Sequence, residues 1–174
     1  EMIKQYFEDF KDPQIAQNDM DVNSFVKIVA KLKKNFTDSD QTKKIMQQLL
    51  KNLDLFDDNI YFDKPRLRVV TFDKYLESGV GYAYKPHRDS WYSGPISQLN
   101  FWMPVFDVDS NSTLAMFPKY WNKKVANMSD QFDYNDWQNN ARNEAVNQVK
   151  KDSRNHPLPL EKIDYEDEIR LACN

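Results

Sequence analysis

The side chains best placed to do chemistry are His87 and Asp89, one of only two histidines in the chain and a carboxylate two residues on. In extended backbone, residues i and i+2 project to the same side, so an imidazole nitrogen and a carboxylate oxygen can close on one metal ion from a single stretch. The pair by itself is also common in polar turns, where a structural hydrogen bond would account for it. Its surroundings favour metal: an aromatic, strand-like run precedes it, Trp91 and Tyr92 follow it, and a segment with one polar face comes next. A non-haem iron pocket in a small β-barrel requires such a setting. The single cysteine, Cys173, excludes an internal disulfide and a cysteine-based structural zinc site.

The elements that must position this pair read as strands. Residues 66–72 alternate and are rich in branched side chains, and 79–84 form a second run that ends at the motif. Ser93, Gly94 and Pro95 make a turn into 97–105. There Leu99, Phe101, Met103 and Val105 share one face, while Gln98, Asn100 and Trp102 share the other. A polar face inside a barrel is a ligand face, and a polar lining without any ligand is the alternative. Residues 113–118 and 168–173 complete the strand candidates. Asp57, Asp58 and Asn59 supply the turn between a helical prelude and this sheet.

The prelude itself carries Phe25, Ile28, Val29 and Leu32 at helical spacing behind Asp21, Asn23 or Ser24 as cap. A second helix follows Asp38, Ser39 and Asp40, with Ile45, Met46, Leu49, Leu50 and Leu53 on one face. The lysines between them (Lys27, Lys31, Lys33, Lys34, Lys43 and Lys44) read as a solvated face, because acidic residues intervene. Trp137, Ala141, Ala145 and Val149 fall at four-residue steps and predict one more helix, after which Pro157 and Pro159 break the chain into a loop.

The length of 174 residues and 40% hydrophobic content suit one domain with a real core, and the 14% aromatic share suggests a ring-lined interior. A net charge of −3 argues against general affinity for nucleic acid or an anionic membrane. No apolar run approaches membrane-spanning length, and the lone cysteine fits a reducing compartment, so a cytoplasmic location is expected.

Residues 87–92, 98–105 and 112–119 together resemble the Fe(II)/2-oxoglutarate-dependent oxygenases, in their phytanoyl-CoA hydroxylase-like branch. The match is in the His-x-Asp, the strand ending at Val105-Phe106-Asp107-Val108, and the run Thr113 to Pro118, and it covers roughly residues 66 to 121. The resemblance implies a mainly β fold with flanking helices, a double-stranded β-helix (jelly roll, cupin-like), over a single domain, 1–174. Within it, 1–60 would be helical, 61–121 would hold the strands and the metal motif, and 122–174 a helical insertion and final strand. It further implies Fe(II) held by His87 and Asp89, 2-oxoglutarate as co-substrate near Gln98, Asn100 and Trp102, and a small-molecule substrate near Trp91, Tyr92 and Arg68. Oxidative decarboxylation of 2-oxoglutarate would then be coupled to hydroxylation of the substrate.

That family's pattern calls for a second ligand histidine on a late strand, followed by an arginine for the distal carboxylate of 2-oxoglutarate. His156 and Arg170 have tempting spacing, but His156 follows a predicted helix and is flanked by prolines that remove ladder donors, so it reads as a loop histidine. There are fewer strand candidates than the roughly eight of a jelly roll, and the expectation is that the sequence ends before the missing ligand. The alternative function is a non-catalytic jelly-roll protein with a vestigial metal site. A cupin-like metal protein that does without 2-oxoglutarate would need further histidines.

Overall fold

Asp21 starts the longest described helix by accepting hydrogen bonds from the backbone N–H groups of Asn23 and Ser24, both at 3.0 Å. These satisfy two donors that the first helical turn cannot pair internally. The computed structural model describes residues 1–55, 60–81, 85–141 and 143–171. Among them the helices are α1 (Met2–Tyr6), α2 (Val22–Asp38), α3 (Asp40–Asn52) and a short α4 (Tyr134–Asp136), and the strands are β1 (Ala115–Met116) and β2 (Ile169–Arg170). The chain divides into two compact units, one of Glu1–Ala83 with Arg142–Ser153 and the other of Tyr84–Ala141 with Arg154–Asn174.

The first unit is organised on α2, whose Phe25, Val26, Val29 and Leu32 are buried. Val29 and Leu32 are 0% and 1% exposed, each worth about 1.5–3 kcal/mol of apolar burial. They pack with Phe7, Ala16, Leu67, Leu76 and Val80, and the Phe25 ring meets Tyr75 edge-on at 5.2 Å. Ser39 ends α2 in extended backbone and caps α3 by accepting from Thr42 N–H at 3.4 Å. Only Thr42 and Leu50 of α3 are buried; Ile45 and Leu53, expected on its apolar face, are exposed. Lys33 donates to the Val80 carbonyl at 2.7 Å, so one of the lysines read as solvated is a tether inside this unit.

The expected jelly roll is not what forms. The described residues hold far more helix than strand, with one two-stranded antiparallel sheet among them, pairing Ala115 with Arg170 and Met116 with Ile169. The reason is visible at the supposed strands. At residues 66–72 the side chain of Gln17 takes the place of a neighbouring strand: its amide donates to the Phe72 carbonyl at 3.1 Å and its carbonyl accepts from Phe72 N–H at 3.2 Å. Gly79–Gly81 closes a 3-10 turn instead of continuing a strand. Gly79 has φ +68°, and a Cβ there would lie 2.1 Å from the Gln148 carbonyl oxygen, a combination only glycine accommodates. Residues 97–105 join no sheet among the described residues, and their apolar face is in solvent, with Met103 76% exposed. A β-favouring sequence needs a partner to become a sheet. Of the remaining readings, the turn at 57–59, the end of the run 79–84 and the end of the run 168–173 with Cys173 lie outside the described residues.

The helix anticipated to open at Tyr134 and carry Trp137, Ala141, Ala145 and Val149 is also replaced, by α4, a π-helical turn at Trp137–Ala141 and a 3-10 segment at Asn143–Asn147. The chain passes from the second unit to the first within this stretch, so its four-residue periodicity does not serve one continuous face. In the second unit, Trp91, Tyr120, Val125 and Ile163 form the core. Residues 126–128 and 158–160 run side by side, through Met128 N–H to the Leu158 carbonyl at 2.9 Å and Leu160 N–H to the Ala126 carbonyl at 2.8 Å. Pro159 sits opposite Asn127 in that bridge, so the proline-rich segment is paired through its neighbours. No described helix is long and apolar enough to cross a membrane.

Candidate metal centre

The His-x-Asp stretch lies wholly in the second unit and enters a turn, not a strand end. Arg88 is extended (φ −115°, ψ 143°), Asp89–Tyr92 form a 3-10 turn, and Ser93 follows in the left-handed region at φ 62°. Extended backbone at Arg88 sends the two flanking side chains to one side, and the Arg88 guanidinium donates to the carbonyls of Tyr120 and Lys123. Those contacts fasten the motif to the unit's core, because Tyr120 is buried there beside Trp91.

His87 Nε2 and Asp89 Oδ1 come to 3.3 Å, as the spacing predicts, with both side chains partly exposed. His87 Nδ1 lies 2.6 Å from the Lys85 carbonyl oxygen. A carbonyl only accepts, so Nδ1 carries the hydrogen and donates. In the neutral ring, Nε2 then presents its lone pair to a carboxylate oxygen. Two acceptors at that distance call for a positive charge between them, a proton or a metal ion. Backbone carbonyls commonly orient metal-binding imidazoles in this way.

The other carboxylate oxygen is held as well. Gln98 Nε2 donates to Asp89 Oδ2 at 3.1 Å, Asn100 Nδ2 donates to the same oxygen at 2.5 Å, and Gln98 Nε2 also reaches Asn100 Oδ1 at 2.6 Å. The polar face of 97–105 therefore meets the motif through two of its three predicted residues. Trp102, the third, is exposed, with no contact to the pair described. Tyr92 stands edge-on to His87, with ring centroids 5.3 Å apart at 79°. Trp91 is buried among Tyr120, Val125 and Ile163 instead of facing the pair, and Arg68 is an exposed residue of the other unit.

His156 lies outside any helix or strand, as its prolines suggest, and it is buried, 6% exposed. Its Nδ1 is 2.9 Å from the Tyr92 hydroxyl, and its ring meets Trp137 edge-on at 4.8 Å. Among the described residues, no group of three or more histidine, cysteine, aspartate or glutamate side chains is arranged to hold a metal. The donor pair thus fits a metal in type and orientation but stands one ligand short of a two-histidine, one-carboxylate triad. Arg170 lies on β2, where it bonds Glu168 Oε1 at 2.6 Å and the Ser110 carbonyl at 3.2 Å.

Sequence reasoning missed two of these features. Arg88, between the two donors, points away from them and anchors the motif. The Tyr92–His156 bond joins residues 64 positions apart, and no local spacing signals it. Comparisons with protein-family models, with curated proteins and with solved structures find no match to this chain.

Proposed function

We propose that this chain binds Fe(II) through His87 Nε2 and Asp89 Oδ1 and, with 2-oxoglutarate as co-substrate, hydroxylates a small organic molecule. The observation that carries the reading is the 3.3 Å approach of Nε2 to Oδ1 with Nδ1 committed to the Lys85 carbonyl. The resemblance of residues 87–92, 98–105 and 112–119 to the 2-oxoglutarate oxygenases supplies the rest. Iron with this co-substrate supplies oxidative chemistry at a C–H bond that no side chain provides alone.

The protein's own residues have simpler tasks. Lys85, through its carbonyl, keeps His87 in the tautomer whose Nε2 can bind. Gln98 and Asn100 fix Asp89 by one oxygen so that the other faces the imidazole. Tyr92 walls one side of the histidine ring.

The test is anaerobic calorimetry of the purified chain with Fe(II), with and without 2-oxoglutarate, followed by assay of succinate formation in air. The expected result is metal binding that 2-oxoglutarate tightens, lost in His87→Ala and Asp89→Ala, together with succinate production. Metal binding indifferent to 2-oxoglutarate, with no succinate, would replace the oxygenase by a non-catalytic metal-binding protein, the reading favoured by a pair that belongs to no group of three such ligands among the described residues. No binding at all would remove both.

A further inference from the structure

The Tyr92 side chain contacts both histidines. On one side its ring lies edge-on to His87 at 5.3 Å; on the other its hydroxyl meets His156 Nδ1 at 2.9 Å. Phe132 and Trp137 enclose the same ring edge-on, at 5.2 and 5.8 Å. His156 is itself fixed from several directions. Its ring packs on Trp137, its carbonyl accepts from Leu158 N–H at 2.9 Å, and Asn155 beside it donates to the Gln131 carbonyl at 2.7 Å. A buried imidazole with a defined partner is an anchor, since an unpaired polar nitrogen in that place is costly.

We infer that His156 is a positioning residue that acts through Tyr92 to set the ring orientation of His87. In its last step, from ring orientation to metal affinity, this rests on the metal-binding reading above. Phenol is the stronger donor and imidazole the stronger acceptor, so the Tyr92 hydroxyl donates to His156 Nδ1 and the hydrogen of the neutral His156 ring sits on Nε2. His87, bonded to the Lys85 carbonyl, carries its hydrogen on Nδ1. The chain's two histidines are therefore held in opposite tautomers by two different bonds. Edge-to-face packing alone fixes where the Tyr92 ring is but leaves it free to swing in its slot. The hydroxyl bond removes that freedom, and the Tyr92 ring is what the His87 ring packs against, at 5.3 Å.

The experiment uses nitrogen-15-labelled full chain, in which only two imidazole spin systems occur. Spectra are recorded without metal at about pH 8.5, above the ordinary imidazole range near 6.5. The wild type is expected to show one ring protonated on Nδ1 and one on Nε2. Tyr92→Phe keeps every ring contact and deletes only the hydroxyl. It is expected to move the His87 signals toward a mixture of tautomers and to weaken Co(II) binding about 3- to 10-fold, while circular dichroism stays unchanged. His156→Gln, which can still accept from the hydroxyl, should restore most of the wild-type His87 pattern; His156→Phe should not. If Tyr92→Phe and His156→Phe both leave His87 in its wild-type tautomer, the inference is overturned. If they shift His87 but the wild type binds no Co(II), the positioning stands and the metal reading falls.

Discussion

The amide pair on Asp89 offers the sharpest test of how the site is built. In Asn100→Ala, Asp89 Oδ2 loses its shorter hydrogen bond, 2.5 Å, and retains Gln98 at 3.1 Å. Hydrogen bonds to charged groups contribute roughly 1.5–3 kcal/mol when desolvated. The Asp89 side chain is 44% exposed, however, so water can take the vacated lone pair and the loss should be nearer 1 kcal/mol. At about 1.4 kcal/mol per decade, that is roughly a 5-fold rise in the Co(II) dissociation constant. Gln98 now divides its Nε2 between Asp89 and Asn100 Oδ1 at 2.6 Å, and losing Asn100 frees it for Asp89 alone. The two changes should therefore be non-additive, with the double variant Gln98→Ala/Asn100→Ala weakened more than the product of the singles, on the order of 30-fold. Calorimetric titration of the four proteins with Co(II) measures this directly. A double variant within twofold of wild type would refute the idea that these amides orient the carboxylate. An Asn100→Ala loss as large as that of Asp89→Ala would mean that Asn100 is itself a ligand.

Two further outcomes follow from the first unit. Gly79→Ala forces a side chain into the left-handed region and against backbone oxygens of Gln148 and Ala145 at 2.1 and 2.3 Å. It should lower the stability of that unit by more than about 2 kcal/mol, read by urea unfolding followed by far-UV circular dichroism, which is dominated by α2 and α3; an unchanged midpoint would mean that the segment does not pack there. Asp21, the cap of α2, is held below the ordinary carboxylate range by Ser24, through its side chain and then its backbone N–H, and by Asn23 N–H. A group depressed in the folded state stabilises fully above its unfolded value, near 4, and loses that contribution as pH falls through the lower folded value. Asp21→Asn keeps an acceptor but cannot titrate, so its thermal midpoint should fall less than the wild type's between about pH 4 and 2; parallel acid profiles would show that the cap contributes nothing pH-dependent.

What could be read from the sequence was what local chemistry decides. Periodicity and caps placed α2 and α3, because Asp21 and Ser39 satisfy helix ends within three residues. The i, i+2 rule brought His87 to Asp89, and the same alternation put Gln98 and Asn100 on one side, where they share a carboxylate oxygen. Alternation could not say whether a neighbouring strand exists. Leu99, Phe101, Met103 and Val105 have the right pattern and no ladder among the described residues, and at Phe72 the ladder is supplied by a glutamine 55 residues away. Trp91 gave an aromatic signal that burial beside Tyr120 and Ile163 explains as packing. His156 was obscured for the same reason of distance: its prolines marked it as a loop residue, and nothing local signalled that Tyr92 and Trp137 pack against it.

The division of the chain has a consequence for vectorial synthesis. The first unit is closed by a segment made about 70 residues after its main part, which ends at Ala83. That segment brings the Val149 carbonyl to Glu77 N–H at 2.9 Å and the Lys150 ammonium to the Lys74 carbonyl at 2.5 Å. At translation rates of roughly 5–20 residues per second, α2 and its partners wait about 4–14 s for these contacts. During that interval Gly79 and Val80 lack their covering strand of chain. A nascent chain stalled before residue 143 should therefore present this apolar seam to chaperones, and one released after Ser153 should not.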